Sequence, residues 1–172
     1  MRMPLPKFHS VRRPLAAFLC AGLCLCALAV GFKTGDALPD LASLKLEGKL
    51  PDSIKGKVVL LDFWASWCEP CKQSFPVMDE LQKHYGDQGL MVIAVNVDEN
   101  KSDMEDFLKA NVASFTVLRD AAQKLVAQAG IATMPSSFVI DREGKVRFVH
   151  TGFHGADSKK QYEQEIESLL KK

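Results

Sequence analysis

The apolar positions of this chain change period from segment to segment, and each change marks an element. Lys57 to Trp64, KVVLLDFW, is a nearly continuous apolar run of strand length and predicts a strand buried on both faces. Helical spacing follows from about Cys68 to Tyr85, with Phe75, Met78, Leu81 and Tyr85 on one face and Gly86 and Gly89 closing it. MVIAVNV, 91–97, reads as a second buried strand. Met104, Phe107 and Leu108 at i, i+3 and i+4 make DMEDFLKAN helical, and FTVL, 115–118, is a short strand candidate. Residues 121–129 predict a further helix with Leu125 and Val126 inward and Gly130 as its stop. SSFVID and KVRFVH flank the turn Arg142-Glu143-Gly144 as a hairpin. Tyr162, Ile166, Leu169 and Leu170 form the apolar stripe of a last helix over about 158–171. Residues 33–56 form an irregular lead-in, where Leu41, Leu44 and Leu46 alternate weakly between breaks at Pro39, Pro51 and Gly56. Strands alternating with helices and ending in a hairpin and a helix predict an α/β fold, a central mixed sheet flanked by helices.

The first 29 residues follow a different rule. Arg2, Lys7, Arg12 and Arg13 precede Pro14–Phe32, a run without charge, and Ala27-Leu28-Ala29 is a small-x-small triplet. That order describes a secretory signal cut after Ala29. The run is also long enough to remain as an N-terminal membrane anchor, with the basic flank kept in the cytoplasm. Either way the body is exported, and membrane association rests on this segment alone. Cys20, Cys24 and Cys26 each follow a leucine, which argues against lipid attachment. The expected organisation is 1–29 signal peptide or anchor, 30–37 linker and 38–172 a single domain. Beyond residue 29 the chain carries 18 basic against 21 acidic residues, a net −3, so it has no basic surplus to grip nucleic acid.

Export also simplifies the cysteines. Of five, Cys68 and Cys71 alone lie outside the targeting segment, in DFWASWCEPCKQSFP. Attack on a disulfide needs a thiolate. Cys68 stands where the first strand gives way to a helix, so first-turn N–H groups and the helix dipole favour an anion there. Cys71 lies one turn inward, at the spacing that lets one sulfur attack and the other resolve the mixed disulfide. Asp62, in an otherwise apolar strand, is expected to hold a raised pKa through desolvation and to take the Cys71 proton. The alternative is a carboxylate satisfied by a lysine or a backbone N–H. Pro70 suits the first helical turn, Pro76 is expected to kink the helix, and solvated Glu69 opposes a thiolate at Cys68. In GIATMPSSFVID, Met134-Pro135 directly precedes an apolar strand; a tight cis turn and an ordinary proline at the strand's start both fit.

Three other readings compete. Cys68, Cys71, His150 and His154 have zinc-like local spacing, but 78 residues separate the pairs. A thiol peroxidase of related strand order would carry a threonine three residues before the attacking cysteine, where this chain has Ala65. A binding or chaperone module would use 68–71 as a structural disulfide, but so short a loop constrains the unfolded chain little.

Asp62-Phe63-Trp64-Ala65, Trp67-Cys68-Glu69-Pro70-Cys71, Pro76 and Met134-Pro135 together resemble the thioredoxin superfamily over roughly residues 38–172. The 36 residues between Asp98 and Pro135 leave room for an extra helix and strand before the proline loop, and VNVDENKSDMEDFLKANVASFTVLRD looks like the TlpA/ResA branch of exported thiol reductases. The resemblance implies a thioredoxin-like fold with a cis Met134-Pro135 bond facing the dithiol. Trp67, Met134 and Pro135 would then meet an extended, disulfide-containing segment of an exported protein. It implies no metal or organic cofactor, a membrane thiol-transfer donor of the DsbD/CcdA type, and a place in keeping exported cysteines reduced, those of apocytochrome c included. The chain departs from the branch in two places. ResA-like proteins carry a glutamate three residues after the second cysteine, where this chain has Ser74. Many of them have asparagine where this chain has Asp62.

Overall fold

The computed structural model describes residues 31–171; the targeting segment expected over 1–29 lies outside the described residues. No helix among the described residues is long and apolar enough to cross a membrane. Five strands, β1 (Val58–Trp64), β2 (Leu90–Asn96), β3 (Thr116–Arg119), β4 (Ser136–Ile140) and β5 (Val146–Thr151), alternate with α1 (Glu69–Tyr85), α2 (Lys101–Ala110), α3 (Lys124–Ala129) and α4 (Ala156–Leu170). The sheet order is β3-β2-β1-β4-β5. β1, β2 and β3 run parallel, while β4 is antiparallel to both β1 and β5.

β1 sits at the centre, and all seven of its residues are buried, as its unbroken apolar run requires. Side chains alternate across it. Trp64, on the face it shares with Asp62, packs against Phe75 of α1 and Phe107 of α2 at 5.1 and 4.9 Å. Phe63 points the other way, toward Phe138, which in turn meets Phe32 edge-on. α4 lies beside α1, tied to it by Tyr85 donating to Glu167 at 2.9 Å and by the pair Lys159–Glu80. α1, α2 and α4 therefore cover the Asp62 face.

α1 buries the predicted stripe of Phe75, Met78, Leu81 and Tyr85, together with Cys71 and Ser74. It runs through Pro76, which faces solvent. α3 starts at Lys124, three residues later than its apolar pattern suggests. The Asp120 carboxylate accepts from Lys124 N and Val126 N at 3.0 and 2.9 Å, and Gln123 is left-handed at φ 54°. Leu125 and Ala129 are its buried pair at i, i+4, and Val126 is only half-buried. On α4, Tyr162, Ile166 and Leu169 are buried, with Leu170 half-buried at the stripe's edge.

The stretch expected as linker is attached to the sheet. Phe32 N donates to Ala129 O at 3.2 Å, Gly35 N to Val146 O at 2.8 Å, and Val146 N to Asp36 O at 2.9 Å. The ordered body thus begins ahead of Leu38, because these residues satisfy backbone groups at the outer edge of β5.

Candidate active site

Cys68 is the residue before α1, its N-cap, and is extended at φ −85°, ψ 106°. Its Sγ accepts from Cys71 N at 3.3 Å, and its carbonyl accepts from Cys71 N and Lys72 N at 3.1 and 3.2 Å. The sulfur therefore occupies the position where a capping oxygen serves an orphan N–H, within the positive end of the helix dipole. Cys68 and Cys71 are joined as a disulfide of 2.05 Å. Cys68 keeps 5% of its surface and Cys71 1%. Glu69 and Pro70 follow as the first two helical residues, both exposed, and Glu69 meets Lys72 at 3.2 Å. Ser74, where a glutamate was expected from the branch, is buried and donates to Cys71 O at 3.0 Å.

Across from the dithiol, the Met134-Pro135 bond is cis. Pro135 O accepts from Gly152 N at 2.7 Å, and Ser136 Oγ donates to Thr133 O at 2.6 Å, which fixes the loop from both ends. Trp67, Cys68, Glu69 and Pro70 face Ile131, Thr133 and Met134 across a groove of about 410 Å³. Trp67, on the rim of this groove, is 68% exposed. Pro135 itself is buried under the loop.

Asp62 shares its side of β1 with Trp64, on which α1 packs, and Cys71 lies one turn before Phe75 on the buried stripe of α1. Burial pushes its carboxyl up to about 7, while a hydrogen bond from Ser137 pulls it down. Among the described residues no lysine or arginine pairs with it; Ser137 Oγ donates to Oδ1 at 2.6 Å. Ser137 was not singled out in the sequence, nor was Tyr162 beyond its place on an apolar stripe. Neither could be placed beside Asp62 before the β1–β4 register, Asp62 opposite Ser137, was known. Asp98 was also missed. Its two carboxylate oxygens both accept from Ser66 N at 3.1 Å, and Asn96 Nδ2 donates to it at 2.8 Å, so it anchors the turn that leads into Cys68. Its only signal was an acid directly after a buried strand.

The zinc quartet is not assembled: Cys68 is bonded to Cys71, His150 lies 2.7 Å from Glu165, and no metal-holding cluster occurs among the described residues. What is assembled is a dithiol at a helix N-terminus, a cis-proline loop opposite and a buried acid beneath.

The chain is similar to known proteins in sequence and in fold. The Redoxin family profile matches residues 33–166. The thiol-disulfide oxidoreductase ResA of Bacillus subtilis is 41% identical over 58% of this chain and 55% of its own length. ResA of Bacillus thuringiensis is 34% identical over 80% of this chain and 77% of its own length. A Chlorobium tepidum structure described as the thiol:disulfide interchange protein DsbE superposes with a TM-score of 0.75 at 42% identity, covering 81% of this chain and 99% of the other. The chain belongs to the Redoxin family, and within it to the ResA-like thiol-disulfide oxidoreductases.

Proposed function

We propose that this enzyme reduces disulfides of exported proteins and is itself re-reduced by a membrane thiol-transfer protein of the DsbD/CcdA type. The observation that carries the reading is the placement of Cys68 at the N-cap of α1, facing the cis Met134-Pro135 loop. An extended substrate lies along the groove between Trp67 and Met134. The Cys68 thiolate attacks its disulfide, forms a mixed disulfide and releases one substrate thiolate. Cys71 then loses its proton to Asp62 and attacks Cys68 Sγ. The Cys68–Cys71 bond forms, and the second substrate sulfur leaves with its electron pair. Substrate gains two electrons and the enzyme loses them. An acid held near neutrality suits both directions of proton transfer, because it is neither fully charged nor fully neutral at working pH.

Export is supported by the basic, then apolar N-terminal sequence, with the body either released after Ala29 or tethered to the outer face of the membrane. Cytochrome c maturation is one setting that needs such a reductant. With Ser74 in place of the branch's glutamate, the proton-handling carboxylate has moved from helix to strand, and that substrate is less specifically indicated than dithiol exchange in general.

The test is a redox titration of residues 30–172 in defined dithiol buffers, with alkylation trapping read by mass. A two-electron transition on the order of −250 mV or lower marks a reductant. A transition near that of strong oxidants reverses the direction, and the absence of a couple rejects the reading. Cys71→Ser is expected to accumulate the mixed disulfide and Cys68→Ser to form none.

A further inference from the structure

The donor that holds Asp62 is itself held. Ser137 Oγ lies 2.6 Å from Asp62 Oδ1 and 3.0 Å from the Tyr162 hydroxyl, three buried side chains from β1, β4 and α4. A serine hydroxyl has one hydrogen, and an ionised carboxylate only accepts. With Asp62 charged, Ser137 gives that hydrogen to Oδ1 and must accept from Tyr162. The chain then runs Tyr162 to Ser137 to Asp62, every donor aimed at the carboxylate. Strand register builds it: Ser137 is opposite Asp62 on one side and opposite His150 on the other, and the Tyr162 ring stands edge-on to His150 at 4.9 Å. Among the described residues, Asp62 Oδ2 takes no hydrogen bond. α1, carrying Cys71, covers this same face.

We propose that Ser137 and Tyr162 are positioning residues for the resolving step, holding Asp62 by Oδ1 and leaving Oδ2 as the oxygen that receives the Cys71 proton. The inference rests on the reading of Asp62 as proton acceptor. The proton passes from Cys71 Sγ to Oδ2. The sulfur's electron pair forms the bond to Cys68, and the Cys68–substrate bond breaks with its pair on the leaving thiolate. Because the proton arrives on the other oxygen, the Tyr162–Ser137–Oδ1 chain keeps its direction throughout. A satisfied polar cluster of no consequence would show the same distances, so the test must read what the chain does to the acid.

The titratable groups around Asp62 are few. Cys71 is buried on α1, which covers this face, and Tyr162 of α4 is linked to Asp62 through Ser137. Its β2 neighbour is Ala94 and its β4 neighbour Ser137, neither of which titrates; His150 of β5 and Glu165 of α4 pair at 2.7 Å behind Tyr162. In the oxidised protein no active-site thiol titrates either, so the Asp62 midpoint is readable alone.

The experiment follows the Asp62 carboxyl-carbon shift against pH in the oxidised body, residues 30–172, which contains every described element. In parallel, stopped-flow reaction of the reduced protein with a chromogenic aromatic disulfide separates two thiolate releases, attack by Cys68 and then resolution by Cys71. Removing a hydrogen bond to a charged group in Ser137→Ala is expected to raise the midpoint by about one unit. At pH 7 the ionised fraction then falls, and resolution slows roughly fivefold relative to attack. Tyr162→Phe, which loses one oxygen and no volume to speak of, is expected to move both readouts the same way by less. Ser137→Thr, which keeps the hydroxyl, restores them. An unmoved midpoint in Ser137→Ala and Tyr162→Phe overturns the donor chain. A raised midpoint with unchanged resolution overturns its role in the reaction. Unchanged resolution in Asp62→Asn overturns the acceptor reading on which the inference rests, a result kept separate because the carboxyl midpoint involves no thiol chemistry.

Discussion

A carboxyl that ionises near 3.8 in the unfolded chain and near 7 in the fold couples stability to pH. Between those values the native Asp62 keeps a proton that the unfolded chain has already shed. Its stabilising contribution is therefore full below about pH 4 and is lost as pH rises through about 7. From pH 5 to pH 8 the loss amounts to roughly 2–3 kcal/mol, since one pKa unit is about 1.4 kcal/mol. Denaturant unfolding of the oxidised protein is expected to show that decline, and Asp62→Asn to flatten it and to be the more stable variant at pH 8. A native curve level across this range would mean that the carboxylate is not buried at a cost. At this scale the sequence was readable where chemistry and local context coincide. Cys68, Cys71, Pro135 and Asp62 announce themselves by standing in runs that do not otherwise tolerate them. Ser137, Tyr162 and Asp98 stand in runs that do, and what matters about each is a hydrogen-bond partner 25 to 75 positions away in the chain.

The junction of β1 with α1 shows how an element is aimed. Helix α1 starts where it does because Cys68 leaves the helical region and Pro70 needs no N–H partner in the first turn. Its direction is set from β2, whose end carries Asp98 onto the Ser66 N–H, with Asn96 holding the carboxylate in place. Asp98→Ala leaves a part-buried N–H without its acceptor and Asn96 without its own, a loss of about 1–3 kcal/mol. The variant is expected to unfold at lower temperature and to slow attack by Cys68 more than resolution by Cys71. Loss of stability with both rates intact would confine Asp98 to structure. Further along α1, Asp79 pairs with Lys83 at 2.6 Å and accepts from Ser114 N at 2.7 Å; the two together hold its carboxyl down to about 2, and the second ties α1 to the loop between α2 and β3. Element types followed the apolar periods closely. Boundaries slipped where a side chain replaced a backbone partner: Asp120 caps α3 from outside its apolar pattern, and no period records that.

Across the whole molecule, one sheet with β1 at its centre brings a helix start, a proline loop and a buried acid to one place. The residues ahead of β1 border both edges of that sheet: Glu47 pairs with Arg119 of β3, and the stretch from Phe32 to Ala37 closes the β5 side. Phe32 contributes a backbone hydrogen bond to α3 and an edge-on contact of 5.5 Å to Phe138, and residues 35–37 pair with the start of β5. A body begun at Leu38, where the composition alone suggests a boundary, is expected to be less stable than residues 30–172 by about 2–4 kcal/mol, from the lost aromatic packing and hydrogen bonds. Equal denaturation midpoints for the two would show the lead-in to be passive. The same attachment has a practical side. Ala129 O, which holds Phe32 N, lies two residues before Ile131, where the cis-proline side of the proposed substrate groove begins. A fluorophore or spin label joined to the backbone just ahead of Phe32 would sit at the foot of the cis-proline loop, so docking of a substrate would be visible as a change in the label's signal with both cysteines left untouched.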